Sequence, residues 1–206
     1  MKSIHLLAVA ASAAALSPPS GSVTLDLLDN LAAELARIFQ VSCRVREDGL
    51  TASFAFDPAR GQYHSTSILQ RLESLPADPD TRVLGVTALD LYVPVLTFVF
   101  GEAQWNGRCA LVSLNRLQEE FYGMPPNLGL ALQRLQKEAV HELGHTLGLK
   151  HCSDWQCVMA SSYSVERIDL KGVEFCSACL QKAGLSSPQP SGRSAAELEP
   201  TSEDSA

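Results

Sequence analysis

The chain predicts an α/β domain built on a largely parallel sheet, and three observations carry that expectation. Short apolar runs alternate with longer stretches of helical periodicity, the order of a strand–helix–strand fold with right-handed crossovers. Of 206 residues, 46% are hydrophobic, enough for one core of ordinary domain size. No apolar run of about 18 residues is clean enough to span a membrane.

The elements follow in order. Ser3 to Ala10 reads as a first strand. Met1-Lys2 followed by Ile4 to Leu16 also has the outline of a short signal peptide, with Ala13-Ala14-Ala15 resembling a cleavage site. The strand is preferred because His5 and Ser12 interrupt the apolar segment. A cytoplasmic location goes with the strand, and a secreted one with removal of residues 1–16. Ser22 can cap a helix through Gln40 with Leu25, Leu28, Leu31, Leu35 and Phe39 on its inner face. Val41 to Arg46 is a strand and Gly49 to Gly61 is irregular. Ser65 to Ser74 is a short helix, with Ile68, Leu69 and Leu72 inward. Arg82 to Ala88, Leu96 to Gly101 and Cys109 to Ser113 are further apolar strands. Pro125-Pro126 breaks the chain ahead of a helix from Asn127 to Leu147. Ser164 to Phe175 carries a last helix. From Gly184 onward Ser, Pro and Glu dominate, so residues 1–183 form the domain and 184–206 a disordered acidic tail.

The chemistry lies at the end of the long helix, in His141-Glu142-Leu143-Gly144-His145-Thr146-Leu147-Gly148-Leu149-Lys150-His151. Histidines four apart lie one helical turn apart on one face and can reach one metal. Gly148 can adopt positive φ and turn the chain so that His151 becomes a third ligand. Three histidines suit Zn²⁺ with a fourth position open to water. The metal lowers that water's pKa, and Glu142, beside the first histidine, is placed to take its proton.

A second constellation follows at once. Cys152 and Cys157 form a C-x4-C pair, and Cys176 and Cys179 a C-x2-C pair. Two close pairs across a loop suit a structural zinc, closed to substrate. Two disulfides are the alternative. The expected cofactor is therefore Zn²⁺, two per chain, one catalytic and one structural. Cys43 and Cys109 sit in apolar runs and read as buried thiols.

These residues, with Cys157-Val158-Met159 and Cys176-x2-Cys179, resemble the archaemetzincins of the metzincin clan of zinc metallopeptidases. Phe56-Asp57-Pro58, Arg60-Gly61-Gln62-Tyr63, Leu84-Gly85-Val86-Thr87 and Phe98 to Ala103 are also similar to that family, so the likeness covers most of residues 3 to 182. The resemblance implies a metzincin-like single domain: a twisted, mostly parallel sheet with one antiparallel edge strand, helices packed on it, and an active-site helix carrying HExxH. It implies that Met159 lies on a tight turn beneath the catalytic zinc. It also implies that the strand containing Phe100, Gly101 and Ala103 binds extended substrate by strand addition. Tyr163 would then stand near the oxyanion.

The expected function is a zinc-dependent peptidase, aminopeptidase or endopeptidase undecided, acting on peptides or proteins. The alternatives are a non-catalytic zinc protein that binds peptides, and an amidohydrolase acting on a non-peptide amide. A net charge of −7 without a basic cluster argues against nucleic acid as a partner. The chain is expected to be a monomer.

Overall fold

The structure is a computed structural model and describes residues 1–13 and 23–186. The first element is β1 (Ser3–Ala10), an interior strand of the main sheet, at the bounds expected for the first strand. Helix α1 (Leu25–Phe39) follows, capped by Thr24, whose hydroxyl accepts from the Leu27 amide at 3.2 Å. The cap is thus two residues nearer the helix than Ser22, which lies outside the described residues. β2 (Ser42–Val45) and β3 (Leu50–Thr51) both run parallel to β1 along one edge. β4 (Phe56–Asp57) and β5 (Gln62–His64) precede α2 (Ser65–Glu73). Then come β6 (Thr81–Thr87), β7 (Leu91–Tyr92), β8 (Gly101–Ala103) and β9 (Cys109–Ser113). The long helix α3 (Leu128–Thr146), α4 (Val165–Leu170) and α5 (Ser177–Ala183) complete the chain.

The main sheet has the order β2-β1-β6-β9-β8 with β3 joined to β1, and every pairing is parallel except β8 with β9. β4, β5 and β7 form a second, small sheet. Helices α1 and α3 cover one face of the main sheet and α2 the other. Alternation along the strands divides the core accordingly. Ile4, Leu6, Leu84, Val86, Ala110 and Val112 pack with Leu28, Leu35, Leu135 and Leu143. Leu7, Val9, Val83 and Leu111 pack with Ile68, Leu69 and Leu72. Each fully buried leucine here contributes about 1.5–3 kcal/mol. Buried Arg134 ties α3 to α4 with paired bonds of 2.7 Å to Asp169, and reaches Glu119 at 2.6 Å.

Three expectations need correction. Leu96 to Phe100 is not a strand; it is a looping segment joined to β7 only by a bridge between Val99 and Leu91, and pairing with β9 begins at Gly101. Its apolar side chains serve a cleft wall and two aromatic contacts, so hydrophobicity there does not report a ladder. The helix expected over Ser164 to Phe175 ends at Leu170, because Gly172 turns to donate to the Gln156 carbonyl at 2.8 Å. A separate helix then starts beyond Cys176. Gly49 to Gly61, expected to be irregular, contains β3, β4 and a 3-10 turn. At the other end Gly184 caps α5 with φ +65° and Leu185 packs on the core. The tail expected from residue 184 lies, from 187 on, outside the described residues.

Cys109 is fully buried in β9, and burial pushes the Cys43 and Cys109 thiols up to about 11. At pH 8 only about one molecule in a thousand carries thiolate at either position. Iodoacetamide is therefore expected to leave both unlabelled in the folded protein; rapid native-state labelling of Cys109, read by mass spectrometry, would contradict this burial.

Candidate metal centre and cleft

Helix α3 starts at Asn127, whose side chain accepts from the Leu130 amide at 3.1 Å, and ends at Thr146. It carries His141 and His145 on one face with their Nε2 atoms 3.1 Å apart. Gly148, at φ +82°, turns the chain in a conformation that favours glycine. His151 thereby returns to within 5.2 Å and 5.1 Å of the other two rings, centroid to centroid. One ring nitrogen from each histidine lies within 4.8 Å of the others.

The outward nitrogens are committed elsewhere. His141 Nδ1 donates to the Val158 carbonyl and His145 Nδ1 to the Leu149 carbonyl, each at 2.8 Å. A carbonyl only accepts, so both Nδ1 atoms carry the proton and both Nε2 lone pairs face the shared point. Burial drives His141 well below the ordinary imidazole range, and Lys171 adds to that. Burial also lowers His145 and His151. Neutral, pre-oriented imidazoles are the donor set that zinc requires.

Glu142 is buried, and burial raises its carboxyl well above the usual range, with Glu138 the next contributor. It faces β8 across the cleft. A Cβ at Gly101 would lie 2.7 Å from Glu142 Cγ and 2.7 Å from the Leu111 carbonyl, so only glycine fits. β8 is held from its far side: Ser65 and Thr66, in the first turn of α2, both donate to the Glu102 carboxylate. The cleft between β8 and α3 encloses about 930 Å³, and Phe100, Gly101, Ala103, the three histidines, Glu142 and Ser161 to Tyr163 line it.

The four cysteines expected as a second site also come together. One sulfur from each of Cys152, Cys157, Cys176 and Cys179 lies within 4.8 Å of the others, and all are free thiols. The Cys152 amide donates to the Met159 carbonyl at 2.9 Å, and the Cys176 amide points at Cys157 Sγ at 3.3 Å. Met159 is fully buried under the histidine helix; a Cβ at Gly144 would strike its sulfur at 2.5 Å. Tyr163 is 76% exposed on the cleft rim, with no hydrogen bond to its hydroxyl among the described residues.

Two features escaped sequence reasoning. Lys171, 1% exposed, forms an ion pair with Glu138 at 2.8 Å and approaches the Ala160 carbonyl at 3.3 Å. Glu138 lies one turn before Glu142, so helical spacing could have found it; nothing local marks Lys171. The second is Trp105, which lines the cleft from the turn after β8.

A three-histidine cluster with an adjacent glutamate, under the antiparallel edge of a parallel sheet, defines a zinc metallopeptidase. Residues 40–184 match the profile of Peptidase family M54. The archaemetzincin of Methanocaldococcus jannaschii is 44% identical over 164 residues, 80% of this chain and 89% of that one. That of Sulfolobus acidocaldarius is 38% identical, covering 79% of this chain and 94% of the other. Among solved structures, the archaemetzincin of Archaeoglobus fulgidus, complexed with malonate, superposes with a TM-score of 0.71 at 37% identity, over 87% of this chain and 99% of that one. A zinc-dependent peptidase from Methanocorpusculum labreanum gives a TM-score of 0.74 at 29% identity, with the same coverage of each chain. The chain belongs to the archaemetzincins, peptidase family M54.

Proposed function

We propose that the chain hydrolyses peptide bonds with Glu142 as general base and later general acid, His141, His145 and His151 holding a catalytic zinc, and Cys152, Cys157, Cys176 and Cys179 holding a structural one. The observation that carries this is the convergence of ring nitrogens from three histidines beside a buried glutamate facing a strand edge. Zinc supplies Lewis acidity there, polarising the scissile carbonyl and acidifying the attacking water. Phe100, Gly101 and Ala103 present the edge along which extended substrate pairs by strand addition. Glu142 takes the proton of the water whose oxygen bonds to the carbonyl carbon, and gives it to the amine as the C–N bond breaks. Met159 supports the floor of the site.

The test is digestion of a mixed peptide library, read by mass spectrometry, with the protein as isolated, after chelation and after zinc is restored. Cleavage should disappear with the metal and return with it. No cleavage in any state would shift weight to an amidohydrolase or a peptide-binding zinc protein. Gly101→Ala should lower kcat/KM by about 100-fold at unchanged zinc content, because the new methyl displaces either the base or the strand. Activity close to wild type would remove β8 from the substrate site.

We read the chain as a cytoplasmic monomer that does not bind nucleic acid. All six thiols are free, and β1 sits in mid-sheet, so loss of residues 1–16 would remove a core strand. No described helix is long and apolar enough to cross a membrane.

A further inference from the structure

The edge strand β8 is three residues long, and its middle residue is held twice. The Ser113 amide donates to the Phe100 carbonyl at 2.8 Å, and the Gln104 amide donates to the Cys109 carbonyl at 3.0 Å. Bonding alternates along an antiparallel ladder. Glu102, opposite Leu111, is therefore bonded to β9, while the backbone groups of Gly101 and Ala103 point away from β9 to the open edge. The Glu102 side chain leaves the sheet on the α2 face, opposite the face where Gly101 meets Glu142. Its carboxylate accepts from Ser65 and, at 2.8 Å, from Thr66, both in the first turn of α2. Helix α2 has no side-chain cap at His64, so Glu102 supplies negative charge where the helix dipole favours it. Ser65 Oγ also lies 3.0 Å from the Tyr92 carbonyl, which ties the same turn to β7. The chain ahead of β8 is fastened from the same segment. Arg60 donates to the Leu96 carbonyl at 2.9 Å and Gln62 to the Thr97 carbonyl at 3.0 Å.

We infer that Glu102 is a positioning residue for the substrate strand: its seat on α2 fixes the height and twist of the β8 edge above Glu142, and so governs the binding of an extended chain. The inference rests on the peptidase reading above. Glu102 stands between the two residues whose backbone groups face the open edge, and its carboxylate lies on the far side of the sheet from the cleft. Glu142 abuts one face of β8, since a Cβ at Gly101 would come within 2.7 Å of its Cγ. The hydroxyls of α2 tether the other face through bonds to a charged acceptor, which are stronger than neutral ones. Without that tether, a three-residue edge preceded by a segment outside the ladder is free to twist. Hydrogen bonds to an added strand weaken steeply when their angle is lost. Those bonds form on binding and persist during reaction, so their loss should raise KM more than it lowers kcat. The carboxylate acts here by its contacts, so a neutral amide of the same shape should nearly replace it.

The test compares wild type with Glu102→Ala, Glu102→Gln and Thr66→Val, all zinc-loaded, with zinc content and thermal midpoint checked for each. The probes are acetohydroxamate, which reaches the metal alone, and tri-alanine hydroxamate, whose peptide portion is long enough to lie along β8. Calorimetry should show wild type preferring the tripeptide by about tenfold or more. Glu102→Ala should cut that preference about tenfold and leave acetohydroxamate affinity within about twofold. Glu102→Gln, which keeps an acceptor for the hydroxyls, should stay within about threefold of wild type. Adding Thr66→Val to Glu102→Ala should change the preference by less than about twofold, because both break one contact. A second readout needs no metal. Hydrogen exchange of the zinc-free protein should be about tenfold faster across β8 in Glu102→Ala and unchanged in β6. An unaltered preference in Glu102→Ala, no preference in wild type, a Glu102→Gln variant as impaired as Glu102→Ala, or unchanged exchange across β8 would each overturn the inference. A tripeptide preference that Glu102→Ala removes, with no peptide cleaved by wild type, would refute the peptidase reading and leave the anchoring role standing.

Discussion

Glu142→Ala is expected to lower peptide hydrolysis by roughly 10²–10⁴-fold while zinc stays bound. The prediction separates catalysis from architecture, because Glu142 has no hydrogen-bond partner among the described residues and sits where burial raises its carboxyl well above the usual range. A carboxyl held like this stabilises nothing. Its folded pKa lies above the unfolded one, so its ionisation opposes folding increasingly as pH rises from the ordinary carboxylate range toward the folded value. The metal-free variant should therefore melt at or above the wild-type temperature, with the gap widening as pH rises through that window. Hydrolysis rates at equal zinc content, measured beside thermal melts, decide the matter. A variant that kept activity within a few-fold of wild type would remove Glu142 from the mechanism.

Cys179→Ser is expected to cost more than its own metal. A structural zinc contributes on the order of 10 kcal/mol of apparent binding free energy, so the thermal midpoint should fall by more than about 10 °C. The loss should then spread to the histidines. Cys152 follows His151 directly, and its amide holds the Met159 carbonyl. Cys157 precedes Val158, whose carbonyl orients His141. Phe175, next to Cys176, packs against Gly144 between the two helical histidines. Elemental analysis should find zinc missing from both sites, or lost to a chelator at least about tenfold faster from the second. A variant holding one zinc with full activity would show the two sites to be independent. Acid should act in the same direction. The three histidines have folded pKa values below 6.5, so the unfolded chain binds more protons and metal-free stability falls as pH drops through that value.

Much of this was legible because it is local. The four-residue spacing of His141 and His145, the turn at Gly148 and the two cysteine pairs each depend on backbone geometry over a few residues. The long helix fell within a residue of its expected bounds for the same reason. Errors arose where an apolar run had two possible uses. Leu96 to Phe100 reads as a strand by composition, yet its side chains line a cleft while the ladder starts at Gly101. Ser164 to Phe175 reads as one helix, but the chain leaves the helix at Leu170, where Gly172 turns to Gln156 and Cys176 returns to Cys157.

The sequence by itself determined the fold class and singled out the residues proposed here as metal ligands and general base, since periodicity and short spacings encode them. Only the tertiary structure decided that Lys171 lies under Glu138, that Glu102 anchors the edge strand on α2, and that Trp105 reaches Gly148. Those partners stand 33, 36 and 43 residues apart in the chain. No repeating pattern links such residues; their meeting is set by how sheet and helices pack, and that packing decides the shape of the cleft.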